Sequence, residues 1–152
     1  MLIESLKTLL IRDLNQLKTE IESYQNESDI WAIQKGIANS AGNLCLHLIG
    51  NLNTYIGAQY GKTGYIRNRP LEFSLKDIPR VELLSKIEET IVVVDNALNN
   101  ISEVELKKEY PLLVFKDKTS TGFMLIHLTT HLAYHLGQIN YHRRLLGLKT
   151  LL

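Results

Sequence analysis

The sequence predicts an all-α protein, a four-helix bundle with two long connections. Apolar residues recur at three- and four-residue steps over long stretches, the period of a helix buried on one face. Strand-like alternation and repeated units are scarce, and 3 prolines and 9 glycines in 152 residues leave room for long helices. At 17.4 kDa the chain reads as one domain, residues 1–152, large enough to bury a core without disulfide or metal staples.

Leu2, Ile3, Leu6, Leu9, Leu10, Leu14, Leu17 and Ile21 form the apolar stripe of the first helix, with Glu4, Lys7, Arg12, Asp13, Gln16 and Glu20 expected to face water. A polar turn at residues 25–29 follows. The second helix is expected to start between Asp29 and Ser40 and to run to about Gln59, where Gly61-Lys62-Thr63-Gly64 breaks it. Residues 61–78 read as a long loop, of a length that usually carries function or crosses the end of a bundle. Asp77 and Pro79 open a third helix over Val81–Leu98, with Leu83, Leu84, Ile87, Ile91, Val94 and Leu98 inward. Ser102-Glu103-Val104-Glu105 is a capping-box pattern for a short segment or leads into the next loop. The last helix is expected from Thr119–Thr121 to about Leu146, with Gly147 as its C-cap.

Composition excludes several classes. Hydrophobic residues at 45% and charged residues at 22% are those of a globular chain, not a disordered one. The net charge of +1 lacks the basic excess of a dedicated nucleic-acid binder. The lone Cys45 allows no internal disulfide, which fits a reducing cytoplasm. Glu4 and Lys7 interrupt the apolar core that a signal peptide would need. Residues 36–60 and 119–142 lack Asp, Glu, Lys and Arg but carry several Asn, Gln, Thr or His residues, and polar groups at that density make poor membrane spans. The expectation is a cytoplasmic protein with no membrane and no nucleic-acid partner.

The histidines are the informative feature. Four of the 5 lie between positions 127 and 142, three of them at the spacing His127-x3-His131-x3-His135. A four-residue step advances a helix by about 40°, so these three line one face. An i,i+4 histidine pair offers two imidazoles to one metal ion, and a third ligand would have to come from a facing helix. His47, the one histidine elsewhere, sits in an i,i+4,i+8 polar stripe with Asn43 and Asn51. In a bundle core such a stripe needs polar partners, so polar face meeting polar face is the economical arrangement. Spacing alone leaves the pairs 131/135 and 127/131 both open.

Acids are missing from residues 30–71 and again from 118–152, the two segments that carry the histidines. Buried helices exclude charge in general, which explains the missing acids but not the histidines. Three neutral imidazoles would leave a divalent ion with its full charge and open positions, a centre that favours anionic ligands such as a thiolate. Other motifs are weak. There is no His-Glu-x-x-His, Gly61-Lys62-Thr63 lacks the upstream glycine of a P-loop, and Cys45 reads as a small core residue.

The run Leu-Ile-His-Leu-Thr-Thr-His-Leu-Ala-Tyr-His-Leu-Gly-Gln-Ile from Leu125 to Ile139 resembles the last-helix signature of DinB-like proteins, including the YfiT-like group. Asn39 to Leu48 resembles the second-helix segment that supplies their first metal ligand, and Gly64 to Phe73 is similar to an uncharacterised branch. The resemblance spans essentially the whole chain. It implies a bundle of up-down-down-up topology with long crossover loops, often a homodimer, holding a divalent metal, zinc or nickel, through three histidines. By position these are His47, His131 and His135, with His127 one turn away, supporting a ligand or acting as general base. Gly137 would permit close helix contact and Gln138 would lie near the face of His131, with plain solvent exposure as the alternative for each.

Characterised relatives include metal-dependent transferases of low-molecular-weight thiols such as bacillithiol. The resemblance therefore implies a small-molecule enzyme, a thiol S-transferase that activates a thiolate at the three-histidine site. In that reading Arg67 and Arg69 dock carboxylates of the thiol co-substrate, or else pair with Glu72 or belong to a solvated loop. The alternatives are a metal-dependent hydrolase and a non-catalytic dimeric metal-binding or stress-response module.

Overall fold

A computed structural model describes residues 1–149, and these are all-helical, without a strand and with one isolated bridge between Glu109 and Ser120. Helix α1 spans Leu2–Glu22, α2 Ala41–Leu52, α3 Arg69–Ser74, α4 Arg80–Leu98 and α5 Thr121–Lys149. A wider turn of π type, Asn53–Ala58, prolongs α2. Short 3-10 turns stand at Glu27–Trp31 and Glu105–Lys107. The helices pack together as a helical bundle, α1 on α4 and α5, and α2 on the same two.

The apolar period of α1 becomes its buried face: Leu10, Leu14, Leu17 and Ile21 have no exposed surface. Each such side chain contributes about 2 kcal/mol by leaving water. Two residues depart from the expected outer face, because Asp13 and Glu20 are buried. Arg12 pairs with Asp13 at 2.8 Å. Glu20 accepts from Arg143 Nε at 2.6 Å, Asn140 Nδ2 at 2.8 Å and Gln16 Nε2 at 3.2 Å, which ties α1 to α5. Burial alone would push the Glu20 carboxyl up; Arg143, Asn140 and Gln16 outweigh it and hold it below the usual carboxylate range. A depressed carboxyl adds stability above its unfolded value of about 4.3 and loses it as pH falls through the folded value. Arg143→Ala is therefore expected to cost about 2 kcal/mol at pH 7. In urea titrations the gap to wild type should close once Glu20 is protonated.

The second helix starts at the late end of its expected window. Ser40 Oγ accepts from the Asn43 amide at 3.1 Å, a side-chain cap that opens α2 at Ala41. The preceding strap crosses the bundle as a 3-10 turn and irregular chain, with Trp31 buried flat against α2. Gly42 permits that contact, since a Cβ there would stand 2.7 Å from the indole. Tyr24 is also core. Its hydroxyl lies 2.6 Å from His142 Nδ1, while His142 Nε2 meets the Ala32 carbonyl at 2.8 Å. A carbonyl can only accept, so Nε2 carries the proton and Nδ1 accepts from the tyrosine. His142 is thus a strut between the strap and α5.

The expected loop over 61–78 contains α3, started by Pro70 in its first turn, where a missing N–H costs nothing. Asp77 is not the cap of α4. That end is held from across the chain, by Glu27 Oε1 accepting from the Arg80 amide at 2.5 Å and by the Arg80 guanidinium donating to the Glu22 and Tyr24 carbonyls. The Ser102 pattern is realised locally, its Oγ accepting from the Glu105 amide. At the far end α5 runs through Gly147 to Lys149 instead of stopping. A glycine inside a helix costs only about 1 kcal/mol. No helix among the described residues is long and apolar enough to cross a membrane.

Candidate metal centre

The residues brought together are His47 from α2 and His131 and His135 from α5, whose ligand nitrogens all lie within 4.8 Å of one another. His47 Nε2 and His131 Nε2 are 3.2 Å apart. Two nitrogens on one tetrahedral zinc, at about 2.0–2.1 Å each, stand about 3.3 Å apart. The donor set therefore fits one divalent ion, to be held by His47, His131 and His135. The rings of His131 and His135 meet edge to face at 4.6 Å, as the one-turn spacing requires.

Outer partners fix two of the three rings. His47 Nδ1 lies 3.1 Å from Glu72 Oε1, and a carboxylate can only accept, so Nδ1 carries the proton and Nε2 offers its lone pair. His135 Nδ1 meets Gln138 Oε1 at 2.7 Å, with the same effect. His131 Nδ1 is buried without a hydrogen-bond partner, so no outer bond sets its orientation. Burial first, then the neighbouring His135, His47, His127 and Arg67, push the His131 imidazole down to about 4. Burial likewise lowers His47 against the pull of Glu72. Both rings are neutral at pH 7 and available as ligands.

Glu72 pairs with Arg67, the alternative that the sequence left open, and its contact with His47 is what the sequence did not indicate. It is buried on α3, and Arg67 donates to both of its oxygens at 2.8 Å, Nε to Oε2 and Nη2 to Oε1. Burial works against the Arg67 charge, but the bonds and charge of Glu72 outweigh it and raise the guanidinium. The acid-free stretches of the sequence thus do not keep acids from the site, since α3 brings Glu72 to His47, but its pairing with Arg67 offsets the charge. The available signal was position: Glu72 is the first acid after the empty stretch, five residues beyond Arg67. The Asn43 stripe also divides differently from expectation. Asn43 Nδ2 donates to the Glu72 and Leu75 carbonyls and so docks α3, while only His47 of that stripe meets the histidines of α5.

His127 stands outside the three-nitrogen cluster, stacked on His131 at 5.8 Å and edge-on to Phe115 at 4.8 Å. Arg69 is exposed, its guanidinium 5.3 Å over the Phe73 ring, which in turn lies 5.1 Å from His47. Cys45 is fully buried and its thiol is pushed up to about 12, the state of an inert core residue.

The profile of a family described as proteins of unknown function, DUF1572, matches residues 2–150. The chain belongs to the DUF1572 family. That family lies within the DinB/YfiT-like superfamily. Comparison with curated proteins and with solved structures finds no match.

In this DUF1572 protein one glycine is required by the site. A Cβ on Gly50 would stand 2.0 Å from Glu72 Oε2 and 2.7 Å from its Cδ, so only glycine lets the carboxylate lie against α2, one turn from His47. Gly50→Ala should push Glu72 out of its place between Arg67 and His47. The expected result is a loss of about 2 kcal/mol in thermal or urea unfolding, together with weakened metal retention. Gly137 has no such duty, because a Cβ there would meet open space.

Proposed function

We propose that this protein is a metal-dependent enzyme acting on small molecules, a thiol S-transferase built on a DinB-like bundle of up-down-down-up topology. The observation that carries the reading is the convergence of three imidazoles from two helices, with Nε2 of His47 and of His131 3.2 Å apart. A bound zinc or nickel ion would supply the Lewis acidity that makes a thiol a thiolate at neutral pH. The chain's own residues prepare that centre. Glu72 and Gln138 hold His47 and His135 in the tautomer that presents Nε2, and the Arg67–Glu72 pair adds no net charge beside it.

Arg67 is engaged by Glu72, so docking of a co-substrate carboxylate falls to Arg69, exposed over Phe73 at the rim. His127, half-buried one turn from His131, is placed for proton transfer at the edge of the centre. The outer face of α5 presents Phe123, Ile126, Ala133 and Gly137 to solvent, a surface suited to a homodimer.

The test is metal content per chain after reconstitution with zinc or nickel, for wild type and His47→Ala, followed by thiol-dependent consumption of 1-chloro-2,4-dinitrobenzene. One equivalent in wild type, none in the variant and thiol-dependent turnover are expected. Ester hydrolysis without added thiol would move the assignment to a hydrolase. A wild-type chain that takes up no metal would end the enzyme reading.

A further inference from the structure

A cleft of about 570 Å³ lies between the strap at residues 34–39 and the flank of α5. Its volume is that of a small-molecule site. His135 lines it and also belongs to the three-imidazole cluster, so the cleft adjoins the centre through that ring. The register of α5 makes this continuous. His127, His131, Tyr134, Gln138, Tyr141 and Leu145 recur at four- and three-residue steps, so one flank carries first the imidazoles and then the cleft wall.

The walls are preformed. The strap is anchored before the cleft by His142 on the Ala32 carbonyl and after it by the Ser40 cap of α2. His142 reaches the cleft with both ring nitrogens engaged, by Tyr24 and Ala32, and Gln138 with its Oε1 engaged by His135. A ligand there meets chiefly the apolar and aromatic surface of Ile37, Ala38, Leu44, Tyr134, Tyr141 and Leu145. Among the lining residues there is no carboxylate, and Lys35 is the one with a formal charge. Such a lining favours a body that is apolar and flat, bearing an anionic group at the strap end.

We propose that this cleft binds the organic substrate as an amphipathic anion, an aromatic or aliphatic body with its carboxylate or sulfonate at Lys35 and its reacting end at His135. The assignment rests on the metal-centre reading only for the position of the reacting end.

The test uses 1-anilinonaphthalene-8-sulfonate as probe, by fluorescence titration of the full-length chain, metal-free and zinc-loaded. Its neutral counterpart N-phenyl-1-naphthylamine serves as comparison. Wild type should bind one sulfonate probe saturably. Lys35→Glu should weaken the sulfonate at least about tenfold and leave the neutral probe within about twofold. Ala38→Trp, which places an indole in the cleft, should weaken both. Circular dichroism and metal content should stay at wild-type values in each variant. No saturable binding by wild type, or affinities untouched by both substitutions, would overturn the proposal. A chain that takes up no metal yet shows this probe pattern keeps the cleft and loses the metal centre, so the two failures are read apart.

Discussion

His131→Ala protein, reconstituted with zinc and freed of excess ion, is expected to retain essentially no metal while keeping its helical circular dichroism. The side chain supplies the nitrogen that stands 3.2 Å from His47 Nε2, and without it the remaining imidazoles come from separate helices with no third donor between them. The affinity loss should exceed the roughly 10–100-fold that follows removal of an outer partner. Helix content should survive because Leu125, Leu128 and Leu132, not His131, fill the core beneath α5. His127→Ala is the matched control. Its ring stacks on His131 from outside the cluster, so stoichiometry should stay at wild type. Loss of metal from His127→Ala with retention in His135→Ala would place the ligand pair one turn earlier.

Glu72→Ala is expected to be the costliest change for the fold as well as a damaging one for the centre. It leaves the Arg67 guanidinium, with a side chain only 13% exposed, without its carboxylate, and frees the His47 ring to turn. Removing one partner of a buried pair costs about 3 kcal/mol or somewhat more. For a chain of this size that is a fall of about 6–12 °C in Tm. Zinc affinity, measured by competition with a chelator, should drop about 10–100-fold. Glu72→Gln keeps an acceptor for His47 Nδ1 and should recover part of the affinity while remaining less stable than wild type. Equal zinc affinity in all three proteins would deny Glu72 any part in orienting His47.

The helical periods of α1, α4 and α5 could be read from the chain because each buries one apolar stripe, and that regularity depends on local spacing alone. The histidine spacing on α5 was readable for the same reason. What spacing could not show was contact between distant segments. Glu20 and Asp13 sit at the flank of the apolar stripe on a helical wheel, where a charged residue suggests solvent, and Arg143 and Asn140 of α5, with Gln16, make burial of Glu20 tolerable. Glu72 reaches His47 across a 25-residue separation through a short helix hidden in what looked like loop. Gly147 offered the usual sign of a helix end, yet α5 passes through it because the breaking tendency of one glycine is small.

The arrangement of α1 has a consequence for how the molecule comes into being. Its core face is covered by α4 and α5, made some sixty or more residues later, and not by its immediate successor α2. Such long-range closure means a slow search, with a greasy helix left uncovered while the rest is synthesised. The histidines are split in the same way, His47 on the early half and His131 with His135 on the late half. No partial chain can assemble the three donors. Ion capture would then report that synthesis and docking of the final helix are complete, and would hold the two halves together once they have met.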